Sequence, residues 1–125
     1  MPFTPGRPLA DAKADLFKAL AHPARVRVLE LLAEREHTIG ELAEATGLEL
    51  SHLSQQVSVL RRAGIVDSRR ARSNVICALR DPQTAELLAV ARRLLRRSLR
   101  DGQALLAALD EADDAVTAAG SRRRP

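Results

Sequence analysis

The stretch TIGELAEATGLELSHLSQQVSVLRRAG, residues 38–64, constrains the fold most because it marks its own breaks. Thr38 and Glu41 have the T-x-x-E spacing of a capping box, in which hydroxyl and carboxylate each take up an N–H that a helix start leaves unpartnered. Gly47 can supply the left-handed residue that ends such a helix. Only Leu48 and Glu49 separate it from a second helix, which Gly64 ends. Two short helices joined this tightly pack at a steep angle, as a helix-turn-helix. Ile39, Leu42 and Ala43 face inward from the first. On the second, a turn of about 100° per residue brings Leu53, Val57 and Leu60 within about 80° of Leu50, so all four are expected on one buried stripe. Opposite them lie Ser51, His52, Gln55, Ser58, Val59 and Arg62, with Ser54 and Gln56 at the boundary. This helix carries no acid, which is unusual for a solvated face.

The flanking sequence extends the pattern. Leu9, Ala12, Leu16, Phe17 and Leu20 form one stripe of a helix from about Leu9 to Leu20. Pro23 suits the first position of the next helix, with His22 as its cap, and Val26, Leu29 and Leu32 make its apolar face, widened by Val28 and Leu31. After Gly64, Ile65 and Val66 open one extended segment, and Val75, Ile76 and Cys77 open another. The polar run between them predicts a β-hairpin whose tip carries Arg70, Arg72, Ser73 and Asn74, with Asn74 suited to a left-handed turn position. Asp81 and Pro82 restart helix, to about Leu99 and, past Gly102, to about Ala112. The organisation expected is a flexible arm over 1–8, one domain over 9–112 and a flexible tail over 113–125.

Composition narrows the class. Phe3 and Phe17 are the only aromatic residues, so the core must come from Leu, Ala, Val and Ile, which favours helices. A core with so few large side chains is marginal in a monomer, and a dimer would bury more. The net charge of +4 is concentrated at Arg61, Arg62, Arg69, Arg70, Arg72 and Arg80. Such a basic segment points to an anionic partner, nucleic acid first, or else to a solvated basic face. Cys77 is the only cysteine, which excludes an intrachain disulfide and a thiolate cluster. The start, MPFTPGRP, does not read as a signal peptide and no apolar run has the length of a membrane span, so a cytoplasmic protein is expected. There is no Gly-rich phosphate loop and no nucleophile with an evident partner, so no enzyme is expected.

From about Leu16 to Leu99 the chain resembles the ArsR/SmtB family of bacterial transcriptional regulators. LFKALAHPARVRVLELL is similar to the family's opening signature, and TIGELAEATGLELSHLSQQVSVLRRAGIV to its helix-turn-helix. The resemblance implies a mainly α fold with a small β-hairpin: a winged helix-turn-helix that dimerises through its first and last helices. Leu9, Leu16, Phe17, Leu87, Val90, Leu94, Leu95 and Leu99 would lie at that interface. It further implies a homodimeric repressor on an inverted repeat in double-stranded DNA. Ser54, Gln55 and Gln56 would read bases, with Ser51 and His52 just before them. Arg61, Arg62 and the wing residues Arg69, Arg70, Arg72, Ser73 and Asn74 would meet phosphates or the minor groove, and Thr38 could add a phosphate contact to its cap. Many relatives carry Arg and His where Gln55 and Gln56 stand here.

The family's metal sites are another matter. Thr38 and Gly40 occupy positions where metal-sensing members carry Cys, and the last helix has no His. His37 with Glu34, Glu36 and Glu41 could bind a divalent metal such as nickel or zinc weakly, although a solvated loop histidine is the plainer reading. Cys77 reads as a buried inert thiol, with a redox sensor as the alternative. The resemblance implies an effector that changes DNA affinity; control by a partner protein, or constitutive binding, stays open beside it. So does a different class: a winged-helix module that binds protein and not DNA.

Overall fold

The computed structural model describes residues 8–123, with side-chain surroundings to residue 117. The elements run α1 Leu9–Leu20, α2 Pro23–Glu34, β1 His37–Thr38, α3 Ile39–Thr46, α4 Leu50–Arg62, β2 Val66–Ala71, β3 Asn74–Leu79 and α5 Gln83–Arg123. The chain divides after Leu88 into two units. Apart from Pro8, the expected arm lies outside the described residues. Residues 113–123, which the sequence reads as part of a tail, belong to α5, and α5 passes through Gly102 without a break.

Local chemistry explains most boundaries. His22 Nδ1 accepts the Ala24 N–H at 3.0 Å, and Pro23 opens α2 where a missing N–H costs nothing. At α3 both halves of the capping box form: Thr38 Oγ1 accepts the Glu41 N–H at 3.1 Å, and the Glu41 carboxylate accepts the Thr38 N–H at 2.9 Å. Gly47 ends α3 at φ 71°, left-handed backbone that costs a residue with a Cβ about 1–2 kcal/mol. Asp81 caps the start of α5 through the Gln83 N–H at 2.9 Å.

The core of the first unit forms where α2, α3 and α4 meet the sheet. Leu29, Leu42, Leu53 and Leu60 are its largest fully buried side chains, joined by Val28, Val66 and Cys77. Its large side chains are aliphatic, each such burial being worth about 1.5–3 kcal/mol. The sheet has the order β1-β3-β2 and is antiparallel throughout. His37 lies opposite Cys77, and Val66 opposite Leu79. Two strands were expected; the third, β1, is two residues long and too short to show any alternation.

Three expectations need correction here. Leu50 is not part of the buried stripe: it is 58% exposed, because the first turn of α4 projects beyond the core that covers Leu53, Val57 and Leu60. The strands reach further toward the tip than expected, so that Ala71 pairs with Asn74 and only Arg72 and Ser73 turn the chain. The left-handed residue of that turn is Arg72, at φ 57°, and not Asn74, which pairs in β3.

Of the residues the family resemblance assigns to an interface, Leu9, Phe17, Val90, Leu94, Leu95 and Leu99 are exposed, and Leu16 and Leu87 are half-buried. No described helix is long and apolar enough to cross a membrane.

Candidate nucleic-acid interface

α4 is anchored by Leu53, Val57 and Leu60, and that anchoring decides which side chains face out. Ser51, Gln55 and Arg62 are exposed, spaced four and seven residues along the helix, so they lie on one outer strip. Ser54, Gln55, Ser58, Val59 and Arg62 line a shallow groove along it. The last turn carries Arg61 and Arg62, cations at the negative end of the helix dipole. Arg61 Nη2 also reaches Ser58 Oγ at 3.4 Å.

A second hollow joins three elements. Thr38, Ile39 and Gly40 from the start of α3, Leu50 and Ser54 from the start of α4, and Ser73, Asn74 and Val75 from the hairpin line it together. The fold therefore gathers Thr38, Ser54, Ser73 and Asn74, which are distant in sequence, around the first turn of α4. The N–H groups of that turn have no side-chain cap, since Glu49 offers none.

His52 and Gln56 stand apart from this strip. Both are half-buried and one turn apart on the side of α4 that meets α2. The His52 ring sits edge-on to His22, with centroids 6.4 Å apart. The Gln56 side-chain carbonyl accepts from Arg25 Nη1 at 3.0 Å. Arg25 also donates to the carbonyls of Ala19 at 2.7 Å and Lys18 at 3.2 Å, and so ties the end of α1 to α4. Sequence reading missed Arg25, because its partners lie 6, 7 and 31 residues away and no motif marks it.

The wing arginines differ from one another. Arg69 is paired with Glu36 at 2.9 Å, which holds the Glu36 carboxyl below the usual carboxylate range and raises the Arg69 guanidinium. Arg80 pairs with Asp67 at 2.9 Å. Arg70, near the end of β2, and Arg72, in the turn, are exposed with no ion-pair partner among the described residues, so theirs is the uncompensated charge of the wing.

The four candidate metal ligands are not brought together. His37 is buried, 6% exposed, and its Nδ1 lies 2.9 Å from the Arg35 carbonyl; it is a strand residue and not a solvated loop histidine. Glu36 is engaged by Arg69. Glu41 accepts from the Thr38 backbone N–H, the main cause of its lowered pKa, and from Arg35 at 3.3 Å. Among the described residues no group of three or more His, Cys, Asp or Glu is placed to hold a metal ion. Cys77 is fully buried, and burial raises its thiol above the ordinary value despite Ser68 Oγ at 3.7 Å.

Known proteins share this arrangement. Residues 22–68 match the family model described as bacterial regulatory protein, arsR family. The HTH-type transcriptional regulator Rv0081 of Mycobacterium tuberculosis is 55% identical over 100 residues, which cover 79% of this chain and 88% of the relative. Its crystal structure superposes with a TM-score of 0.71 over 77% of this chain and 97% of that one. A biofilm growth-associated repressor of Agrobacterium fabrum is 43% identical over 79 residues, 63% of this chain and 68% of the relative. The solution structure of the homodimeric winged helix-turn-helix DNA-binding domain Mb0332 from Mycobacterium bovis is 27% identical, with a TM-score of 0.66 over 78% of this chain and 95% of that one. These likenesses agree with the helix-turn-helix and hairpin geometry: the chain belongs to the arsR family of bacterial regulatory proteins and is a winged helix-turn-helix transcriptional regulator, not an enzyme.

Proposed function

We propose that the chain is a homodimeric, cytoplasmic repressor that binds an inverted repeat in double-stranded DNA, its half-sites about one helical turn apart. The observation that carries this is the outer strip of α4 beside the α3–wing hollow. Exposed hydrogen-bonding side chains there meet no acid, and the free arginines of the tip stand at one end. The first two turns of α4 enter the major groove. Ser51, Ser54 and Gln55 meet base edges, and Gln55 has the two-atom amide geometry that matches adenine. Gln56 acts differently: Arg25 holds its carbonyl, which leaves its amide N–H groups as the part able to donate to a base. Arg62, Arg70 and Arg72 neutralise phosphates, and Ser73, Asn74 and Thr38 add neutral contacts around the hollow.

Homodimerisation is supported by the exposed Leu9 and Phe17 of α1 and the exposed leucines of α5, and by the homodimeric state named for Mb0332. The repressor sense is supported by the biofilm growth-associated repressor among the relatives. Regulation does not rest on the His37 group; binding is controlled by another effector or by a partner protein, or is constitutive, and calorimetry with nickel and zinc is expected to give no site of micromolar affinity or tighter.

Gel shift on the promoter of the protein's own operon, repeated across salt, tests the reading. A specific complex with a steep salt dependence is expected. Absence of binding at low salt to any sequence near the gene contradicts it, and weak heparin retention would point instead to a protein-binding winged helix.

A further inference from the structure

The densest positive charge of the second unit lies on α5, and none of it belongs to the residues assigned above to DNA. Arg93, Arg96, Arg97 and Arg100 are exposed and together line one hollow of about 230 Å³. Their spacings of three and four make each a surface neighbour of two others, so every one of these contacts sets like charges side by side and costs helix stability. None of the four has an ion-pair partner among the described residues, and Asp101, four residues past Arg97, does not bridge to it. Asp110 and the acids after it begin about 15 Å along the axis from Arg100, beyond ion-pair distance.

The arginines also avoid the side that a second copy would cover. At about 100° per residue the four fall within about 100° of one another. Leu94, Leu95, Leu99, Leu105, Leu106 and Leu109 all lie within about 70° of the opposite direction. Cover of that apolar side by the proposed homodimer leaves the arginines in solvent, as they are in the single chain.

We infer that Arg93, Arg96, Arg97 and Arg100 form a binding site for a compact multi-phosphate anion, an inorganic polyphosphate or the phosphate chain of a nucleoside triphosphate. Each guanidinium is a planar fork of donors that matches phosphate oxygens two at a time. The four stem from about 10 Å of helix and border a single hollow, which suits a short chain of phosphates held at several points. One phosphate can engage only some of the forks. A bound triphosphate supplies the negative charge that turns four mutually repelling side chains into paired ones. The site stands apart from the DNA reading: it uses none of the same residues, and either can fail without the other.

Calorimetry on the full-length protein in magnesium-free buffer tests it, with sodium tripolyphosphate, adenosine triphosphate, orthophosphate and sulfate as separate probes. Tripolyphosphate is expected to bind with a dissociation constant of about 10–100 μM at low salt, weakening as salt is added. Orthophosphate and sulfate should bind about tenfold more weakly or worse. Equal affinity for the two phosphate chains assigns recognition to the phosphates alone, and tighter adenosine triphosphate adds a nucleoside contact; both support the site. Arg96→Gln with Arg100→Gln should weaken tripolyphosphate about tenfold or more, with helicity by circular dichroism kept. Lys13→Gln with Lys18→Gln, which removes the same charge from α1, should leave it bound. Tripolyphosphate no tighter than sulfate, or equal loss in the two double variants, overturns the site. So does an Arg96→Gln, Arg100→Gln protein that loses affinity for random duplex DNA while tripolyphosphate binding stays unchanged.

Discussion

Arg25 shows how a residue without a motif comes to control a surface. Its guanidinium joins the last carbonyls of α1 to the Gln56 side chain, so it fixes how Gln56 presents its amide. Arg25→Ala is expected to leave Gln56 free to turn, and to lower discrimination between operator and mismatched DNA about 5–10-fold. Non-specific affinity should change less, as measured by fluorescence anisotropy on the two duplexes. Arg72 is the opposite case, a residue whose role conflicts with its conformation. It holds φ 57° at the wing tip at a cost of about 1 kcal/mol or more. Arg72→Gly should therefore raise stability to denaturant by about 1 kcal/mol while weakening DNA binding, because the strain goes with the charge. Loss of stability in urea titrations would refute this account of the turn.

At the scale of the element, the parts legible in the sequence are those whose cause is local. Thr38, Glu41 and Gly47 bound α3 through partners within four residues, and Pro23 opens α2 in the same way. The Glu41 carboxyl is held below its usual value in the folded state, so its capping contribution is complete above the ordinary carboxylate range. It is lost as pH falls through the lowered folded value. Acid unfolding of Glu41→Gln should accordingly begin from a lower plateau and show a shallower pH dependence below pH about 4.5 than the parent. What the sequence did not disclose depends on distant neighbours. Periodicity placed Leu50 with Leu53, Val57 and Leu60, but burial of the first turn of α4 depends on what α3 and the wing leave uncovered. β1 exists because β3 passes beside His37, and the same passage converts that residue from a candidate ligand into a buried strand side chain. Leu53 and Leu60, fully buried between α2, α3 and the sheet, behave as the pattern says. Leu53→Ala is expected to cost about 2–5 kcal/mol in chemical denaturation and to reduce DNA binding only in proportion to the unfolded fraction.

For the whole molecule, the stretch between Glu49 and Asp67 joins fold to function. The inner side of α4 holds the core, and its outer side carries no acid to repel the phosphates of the proposed DNA partner. Of the candidate site, the strip of Ser51, Gln55 and Arg62 and the basic tip could be read from the sequence. The inward turn of His52 and Gln56 and the pairing of Arg69 with Glu36 could not, because each depends on a contact with another element. The central claim is that side chains of α4 read bases while the wing tip reads only charge. The most direct test is to measure Gln55→Ala and Arg72→Ala against operator and random duplexes over a salt series. Gln55→Ala should lose about tenfold or more on the operator, little on random DNA, and keep its salt slope. Arg72→Ala should weaken both duplexes alike and reduce the slope by about one. An equal loss on both duplexes for Gln55→Ala would contradict the account.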